Sequence, residues 1–233
     1  MTTSVTTSVE DGLAVVRLDD GKVNALSMEV IGQLLEALDR AQADASAVCV
    51  IGNAKALSAG FDLSVMQGGA DGARELVTAG GRLLMRLYGH PQPTVVAVTG
   101  HALAAGALLV LACDTRIGAE GPAKIGLNET AIGLPLPVFA VELARDRLSK
   151  RYLTRATIEA EIFSPQGALA AGYLDSVSAT DECVTTAIDE GRRLSQIDAR
   201  AYASTKRSLR QATIDRVLKT LETDMGSFAG ASS

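Results

Sequence analysis

Three segments of the chain combine small residues with a turn that follows a predicted buried strand. They are residues 56–63 (Ala-Leu-Ser-Ala-Gly-Phe-Asp-Leu), residues 100–106 and residues 124–135. Such turns expose backbone N–H groups that no helical carbonyl satisfies, and ligands of open α/β sheets collect at the carboxyl ends of the strands. Two N–H groups that converge there could stabilise an oxyanion. The alternative for the first two segments is that small residues simply permit close packing.

Glu129, in the third segment, is the best candidate for acid–base chemistry. Apolar residues stand on both sides of it, with Ile125 and Leu127 before it and Ala131 and Ile132 after it. Apolar surroundings raise the pKa of a carboxyl group, and a raised pKa suits proton transfer near neutral pH. The alternative is a surface glutamate on a loop, or one that caps a helix, and spacing alone leaves both interpretations open.

Other reactive side chains give weaker signals. His101 has no obvious Ser, Cys or Asp partner, and Ser58 does not lie in the Gly-x-Ser-x-Gly pattern of a nucleophile elbow. Asp114 follows an apolar stretch, and we expect it to cap structure or to pair with a basic residue. Residues 100–106 match neither the dinucleotide-binding nor the P-loop glycine pattern. The three cysteines are predicted to be small core residues.

Composition narrows the function classes. The chain has 233 residues, of which 47% are hydrophobic and 21% charged, an ordinary globular balance. A net charge of −5 and an aromatic content of 3% disfavour a nucleic-acid partner. Two histidines and three scattered cysteines predict no metal site. The longest apolar run, residues 102–113, is too short to span a bilayer, and the first residues lack a signal-peptide pattern. We therefore expect a cytoplasmic protein with no membrane partner.

The elements that must position these residues alternate between strand and helix. Ser27 is predicted to cap the first helix, and residues 68–72 are predicted to form a flexible joint. The remaining predictions are a hairpin over residues 8–19, buried strands over 47–52, 94–99 and 115–118, and helices over 74–89, 107–113, 140–157, 165–171, 181–196 and 199–224. This alternation is typical of right-handed βαβ units with a parallel sheet. The predicted fold class is α/β.

The order of motifs resembles the crotonase (enoyl-CoA hydratase/isomerase) superfamily over about residues 9–180. Residues 21–26 (Gly-Lys-Val-Asn-Ala-Leu) resemble its early Asn-Ala-Leu loop, and residues 56–63 resemble its Ala-Gly-x-Asp-Leu signature. Residues 93–106 resemble the family segment that ends in a glycine triplet. Cys113-Asp114 and the segment around Glu129 follow at family-like distances. Each motif alone is weak, whereas four in this order make a strong match.

The resemblance implies a core of repeated ββα turns arranged as a spiral, followed by a C-terminal helical extension. Residues 1–180 would form the acyl-CoA-binding core. Residues 181–233 would form a helical region of the same single domain that mediates oligomerisation. The implied assembly is a homotrimer or a dimer of trimers. The implied ligand is an acyl-CoA thioester, and no cofactor is expected beyond the coenzyme A that the substrate carries.

The resemblance also assigns site residues. Glu129 corresponds to a catalytic glutamate, and the backbone N–H groups of Ala59 and Ala105 are predicted to form the oxyanion hole. The predicted substrate-binding residues are Lys22, Ala56, Gly60, Asp62, Leu63, Leu108 and Leu134. Replacement of two family glycines by Ala104 and Ala105 keeps the N–H donors but narrows the pocket by methyl groups.

One departure from the family decides between mechanisms. The family's hydratases use two glutamates, and Leu108 occupies the position of one of them, whereas Glu129 is retained. A double-bond shift needs one base, and the family's Δ3,Δ2-enoyl-CoA isomerases similarly rely on one glutamate at the Glu129 position. The resemblance therefore favours an isomerase of fatty acid metabolism. The alternatives are a hydratase that uses Glu129 alone, a thioester hydrolase and a non-catalytic acyl-CoA-binding protein.

Overall fold

A computed structural model describes residues 4–228. Residues 1–3 of the predicted core and residues 229–233 of the predicted C-terminal region lie outside this range. The elements are, in chain order, β1 (Val5–Glu10), β2 (Leu13–Leu18), α1 (Met28–Asp44), β3 (Ala47–Ile51), β4 (Ala56–Ser58), α2 (Leu63–Gln67), α3 (Ala70–Tyr88), β5 (Thr94–Val98), β6 (His101–Leu103), α4 (Ala105–Ala112), β7 (Thr115–Ala119), β8 (Ile125–Gly126), a 3₁₀ turn (Thr130–Ile132), α5 (Val138–Arg147), α6 (Leu153–Thr157), α7 (Pro165–Ala171), β9 (Ser176–Ser178), α8 (Cys183–Leu194) and α9 (Ala199–Phe228).

Two sheets run through the molecule side by side. The larger has the strand order β1-β2-β3-β5-β7-β9, and the smaller has the order β4-β6-β8. β1 and β2 pair antiparallel, as the predicted hairpin requires, and all other neighbours are parallel. From β3 onward, each repeat consists of one strand in the large sheet, one strand in the small sheet and a helical segment. This arrangement confirms the predicted α/β class and the ββα spiral.

The central strands of the large sheet are apolar throughout because both of their faces are covered. Every residue of β3 and β5 is buried. One face packs into the main core with α1, α3, α4 and α5. The alternate side chains, which include Cys49 and Val95, pack against Cys183 and Ala187 of α8. All three cysteines are buried and free, as predicted.

The structure differs from the sequence-based expectations at several short elements. Residues 100–106 were expected to form a turn, but they contain β6 and the start of α4. The helix expected over 140–157 is two helices, because Leu148 is extended and the Ser149 N–H donates to the Ala171 carbonyl at 3.0 Å. The expected joint at 68–72 is shorter, since α3 already begins at Ala70. Strands β4, β6 and β8 have only two or three residues, which is too few to show a sequence pattern.

The C-terminal helix α9 is attached to the core through a buried carboxylate. Asp114, just after α4, accepts hydrogen bonds from Lys206 Nζ and Arg210 Nη1, each at 2.7 Å, and from Tyr202 Oη at 2.8 Å. The backbone N–H of Thr94 donates to it from the core side. The prediction that Asp114 pairs with basic residues is thus confirmed. Burial raises the pKa of Asp114, but the two cations outweigh burial and hold that pKa below its ordinary value of 3.8.

Within residues 4–228, no helix is both long and apolar enough to cross a membrane.

Replacing Asp114 with Asn should lower the free energy of unfolding by about 3–5 kcal/mol, because it leaves two buried cations without their anion. Chemical denaturation monitored by circular dichroism measures this change. Because the folded pKa of Asp114 lies below 3.8, the stabilisation by this group is fully present above that pH and is lost as the pH falls below it.

Asp39→Asn is the matched control. Asp39 pairs with Arg86, but its side chain is 72% exposed, and an exposed pair contributes less than about 1 kcal/mol. An equal decrease in the free energy of unfolding in the two variants would contradict the anchoring role of Asp114.

Candidate active site

The three small-residue segments meet around a single cavity of about 290 Å³. The loop after β4 contributes one side, the turn that starts α4 a second, and the 3₁₀ turn after β8 a third. Helices α2, α3 and α5 complete the wall. The lining residues are Ala59, Phe61, Leu63, Met66, Val77, Ala104, Leu108, Asn128, Glu129, Ile132, Leu134, Pro137 and Phe139. Apart from Asn128 and Glu129, these side chains are apolar, so the cavity suits an apolar ligand with a few polar contacts.

Glu129 lies immediately before the 3₁₀ turn and lines the cavity. Its Oε2 atom is buried and has no hydrogen-bond partner within the described part of the chain. Burial raises the pKa of the carboxyl group, and the main-chain N–H groups of Asn128 and Glu129 offset this only in part. The expectation of a carboxyl group with a raised pKa is confirmed. A freely solvated glutamate does not describe this side chain.

Leu108 lies at the end of the first turn of α4, and only 1% of the residue is exposed. It lines the same cavity as Glu129. All eight residues of α4 are buried, so this helix runs through the core. The position at which the resemblance would place a second glutamate is therefore part of an apolar wall.

The N-terminus of α4 leaves a backbone amide unbonded next to a cavity-lining residue. Ala105 is the first residue of the helix, so its N–H has no intrahelical acceptor. Ala104 just before it lines the cavity and adopts φ 51° and ψ −123°, a conformation that costs an L-residue about 1–3 kcal/mol. Gly106 brings the helix against β4, since a Cβ there would lie 2.0 Å from the Ser58 carbonyl oxygen.

The structure corrects the assignment of Ala59 as an oxyanion-hole donor. The Ala59 N–H already donates to the Val23 carbonyl at 2.9 Å, so it is not available to a ligand. Two residues further on, the Phe61 N–H has no acceptor among residues 4–228. The adjacent bonds from Leu26 N to Gly60 O and from Asp62 N to Leu26 O fix the backbone on either side of Phe61.

The free amides of Phe61 and Ala105 belong to loops in direct contact. A Cβ built on Gly60 would lie 3.0 Å from Ala104 Cβ and 3.7 Å from the Ala105 nitrogen. Phe61 occupies the variable position of the Ala-Gly-x-Asp signature, so the fixed residues of the motif do not point to its amide.

The other predicted substrate-binding residues divide into two groups. Leu63, Leu108 and Leu134 line the cavity, with Leu63 at its rim, where 66% of that residue is exposed. The remaining four are not among the lining residues: Lys22 is exposed, Ala56 is buried in β4, Gly60 supports the loop, and Asp62 caps α2 through the N–H of Ser64. Contacts between these four and a ligand stay a prediction.

His101 and Ser58 have structural roles, in line with the weaker signals noted for them. His101 Nδ1 accepts a hydrogen bond from the Lys124 N–H at 3.0 Å. Ser58 Oγ accepts one from the Gly60 N–H at 3.1 Å, inside the loop that leads to Phe61. Neither side chain is among the residues that line the cavity.

A cavity that contains a buried carboxyl group, with two unbonded amides in the segments that form it, supports a specific type of chemistry. The carboxylate can remove a proton next to a carbonyl group, and the two N–H groups can stabilise the negative charge that then develops on the carbonyl oxygen. Apolar walls keep water from competing with the carboxylate for the proton.

Comparison with known proteins relates the chain to one enzyme family. Residues 8–232 match the family model described as enoyl-CoA hydratase/isomerase. The chain is 32% identical to mouse enoyl-CoA delta isomerase 1, mitochondrial, over 93% of this chain and 77% of that protein. It is 31% identical to 2,3-dehydroadipyl-CoA hydratase of Escherichia coli, over 81% of this chain and 74% of the hydratase.

A solved structure matches over nearly the whole chain. It is an enoyl-CoA hydratase/isomerase family protein from Pseudomonas syringae, with a TM-score of 0.94 and 42% identity. The match covers 97% of this chain and 98% of that one.

Glu129→Gln should raise the melting temperature at neutral pH, because the amide removes the cost of a buried charge. The pKa of Glu129 in the folded protein lies above the ordinary value of 4.5. The cost of the buried charge is therefore fully present above the folded pKa, and it disappears below pH 4.5, where Glu129 is protonated in both the folded and the unfolded protein. Thermal unfolding of both proteins at about pH 7 and about pH 4 measures the difference. A stabilisation of the same size at both pH values would show that charge burial is not its cause.

Ala104→Gly should stabilise the protein by about 1 kcal/mol, since the relief of about 1–3 kcal/mol of backbone strain exceeds the entropic cost of about 0.5–1 kcal/mol for glycine. Urea unfolding gives the free energies. Ala107→Gly, within the regular part of α4, is the control and should lower stability. If both variants lose stability alike, Ala104 is not strained.

Proposed function

The chain belongs to the enoyl-CoA hydratase/isomerase family, and we propose that it acts within this family as a Δ3,Δ2-enoyl-CoA isomerase. Glu129 carries this proposal, because it is the one carboxyl group among the described residues that line the cavity. Leu108 stands where the resemblance places the second glutamate of a hydratase. A cavity with one base and apolar walls favours moving a double bond over adding water to it.

In the first step, the thioester carbonyl oxygen of a 3-enoyl-CoA accepts hydrogen bonds from the Phe61 and Ala105 N–H groups. The Glu129 carboxylate removes a proton from C2, and the electron pair of the C–H bond moves onto the carbonyl oxygen to form a dienolate. Each fixed amide donor lowers the barrier by about 2.7–4 kcal/mol, by analogy with other oxyanion holes. Neutral Glu129 then holds the proton.

In the second step, Glu129 returns the same proton to C4. The electron pair on oxygen reforms the carbonyl group, the C2–C3 double bond forms, and the C3–C4 double bond supplies the pair that binds the proton. The product is a 2-enoyl-CoA, and Glu129 is a carboxylate again. Burial raises its pKa, which strengthens it as a base and favours one group serving both steps. No water molecule takes part, which is in keeping with the apolar lining.

Hydration of a 2-enoyl-CoA is the second candidate, and the identity to the E. coli hydratase favours it. It requires Glu129 to activate a water molecule and also to protonate carbon, without a second carboxylate to orient the water. A protein that binds acyl-CoA without reaction is the third candidate, and the missing second glutamate is the feature that favours it.

Incubation with 3-hexenoyl-CoA should give 2-hexenoyl-CoA, whereas 2-hexenoyl-CoA should be hydrated at least about tenfold more slowly, since Leu108 replaces a group that would orient water. Glu129→Gln should reduce isomerisation by about 10²–10⁴-fold, the usual contribution of a general base. Chromatography of the CoA esters measures both reactions.

Rapid hydration without isomerisation would support the hydratase instead. Binding of both esters without either reaction would support the non-catalytic protein. Leu108→Glu is the complementary variant, and it should raise the hydration rate if only the second carboxylate is missing. Asp39→Asn is the control, because the Asp39 side chain is 72% exposed and Asp39 is not among the cavity-lining residues.

A further inference from the structure

We propose that Gly80, in the middle of α3, determines which acyl chains the enzyme accepts, by seating the Phe61 ring so that the cavity holds a chain of up to about ten carbons. This inference rests on the proposed function only in taking an acyl-CoA as the ligand. It adds the class of substrate, which is acyl-CoA with a straight acyl chain of short or medium length. It also names Gly80 as the residue that limits the length of that chain.

The contact between Gly80 and Phe61 leaves no room for a side chain on the helix. A Cβ built on Gly80 would lie 2.3 Å from Phe61 Cε1 and 2.4 Å from Phe61 Cζ. The Phe61 ring therefore rests directly on the backbone of α3. Since the ring also lines the cavity, any group added at Gly80 must push it toward the space that a ligand would occupy.

The neighbouring glycine has the same relationship to a second aromatic ring. A Cβ on Gly81 would lie 3.0 Å from Phe139 Cδ1 and 2.8 Å from Leu221 Cδ1. Phe139 is fully buried and lines the cavity as well. Both aromatic side chains of the lining are thus seated against positions of α3 that lack a Cβ.

These glycines are unfavourable for the helix that contains them. Each costs about 1 kcal/mol relative to alanine in a helix interior, and α3 runs for 19 residues. Val77, which lies one turn before them on the same face, lines the cavity. The face of α3 that carries the two glycines therefore lies behind the Phe61 and Phe139 rings, and the absent side chains let these rings sit back from the cavity.

The cavity volume limits the acyl chain. At about 290 Å³, it lies at the lower end of the usual ligand-pocket range of about 300–1,000 Å³. An apolar cavity of about 150 Å³ holds the six carbons of benzene, so this one holds roughly twelve non-hydrogen atoms. The thioester sulfur and oxygen account for two of them, which leaves about ten carbons.

Three variants test the inference through the ratio of kcat/KM for 3-decenoyl-CoA to that for 3-hexenoyl-CoA. Gly80→Ala should lower this ratio at least about tenfold, because the displaced ring shortens the cavity. Phe61→Leu should extend activity to 3-tetradecenoyl-CoA, on which the wild type should be poor. Gly80→Ala/Phe61→Leu should return toward the wild-type ratio, since the smaller leucine leaves room for the added methyl group.

Gly72→Ala is the matched control on the same helix. A Cβ at Gly72 would meet only Val65 Cγ1, at an ordinary contact distance of 3.7 Å. This variant should keep the wild-type ratio. A drop equal to that of Gly80→Ala would overturn the inference, because a general effect of alanine in α3 would then explain the change.

Calorimetric binding of hexanoyl-, decanoyl- and tetradecanoyl-CoA separates this inference from the proposed reaction, because saturated esters bind without reacting. If the chain-length pattern appears in binding but no isomerisation occurs, the inference on Gly80 stands and the proposed function fails. If isomerisation occurs with equal efficiency for all lengths, the proposed function stands and the inference on Gly80 fails. Unchanged ratios in Gly80→Ala and in Phe61→Leu would also overturn it.

Discussion

The candidate site depends on one unfavourable interaction, which is the burial of the Glu129 carboxyl group among apolar side chains, with no partner for Oε2 in the described part of the chain. Isolated burial of a charge is costly, so the rest of the fold must hold the glutamate in place. Hydrogen bonds around the 3₁₀ turn do this, for the Ile132 and Leu134 N–H groups both donate to the Glu129 carbonyl. Thr130 Oγ1 also ties the turn to α6 through the Thr157 carbonyl. The backbone of Glu129 is thereby fixed, while Oε2 of its carboxyl group has no partner among the described residues.

The spiral of paired strands explains how the amides come to the same place. Because β4, β6 and β8 are neighbours in one small parallel sheet, the segments that follow them leave from the same edge. Phe61 follows β4, Ala105 follows β6, and Glu129 follows β8. Close contact between α4 and β4, which Gly106 permits, then brings the first two segments into contact. The small sheet is minor in size, yet it determines the geometry of the site.

Much of the fold and of the candidate site could be predicted from the sequence, and the predictions that were wrong failed for physical reasons. Strands such as β3 and β5 are long and apolar, so hydrophobic patterning identified them. The strands of the small sheet have two or three residues, which is too short for a hydrophobic pattern to identify them. The small sheet becomes visible only when these strands pair in the folded structure. Glu129 and Leu108 were identified by motif position. Ala59 was assigned wrongly because a sequence does not reveal which amide is already bonded, and the bond from Ala59 to Val23 joins residues 36 positions apart.

Helix α3 links the wall of the cavity to the attachment of the C-terminal helix. One face of it carries Gly80 and Gly81, while Arg210 of α9 stacks over the Tyr88 ring at 4.2 Å and donates to the Tyr88 carbonyl. Leu221 of α9 also packs against Gly81. A shift of α9 would therefore move the part of α3 that supports the Phe61 and Phe139 rings, so the docking of the C-terminal helix is mechanically coupled to the shape of the cavity.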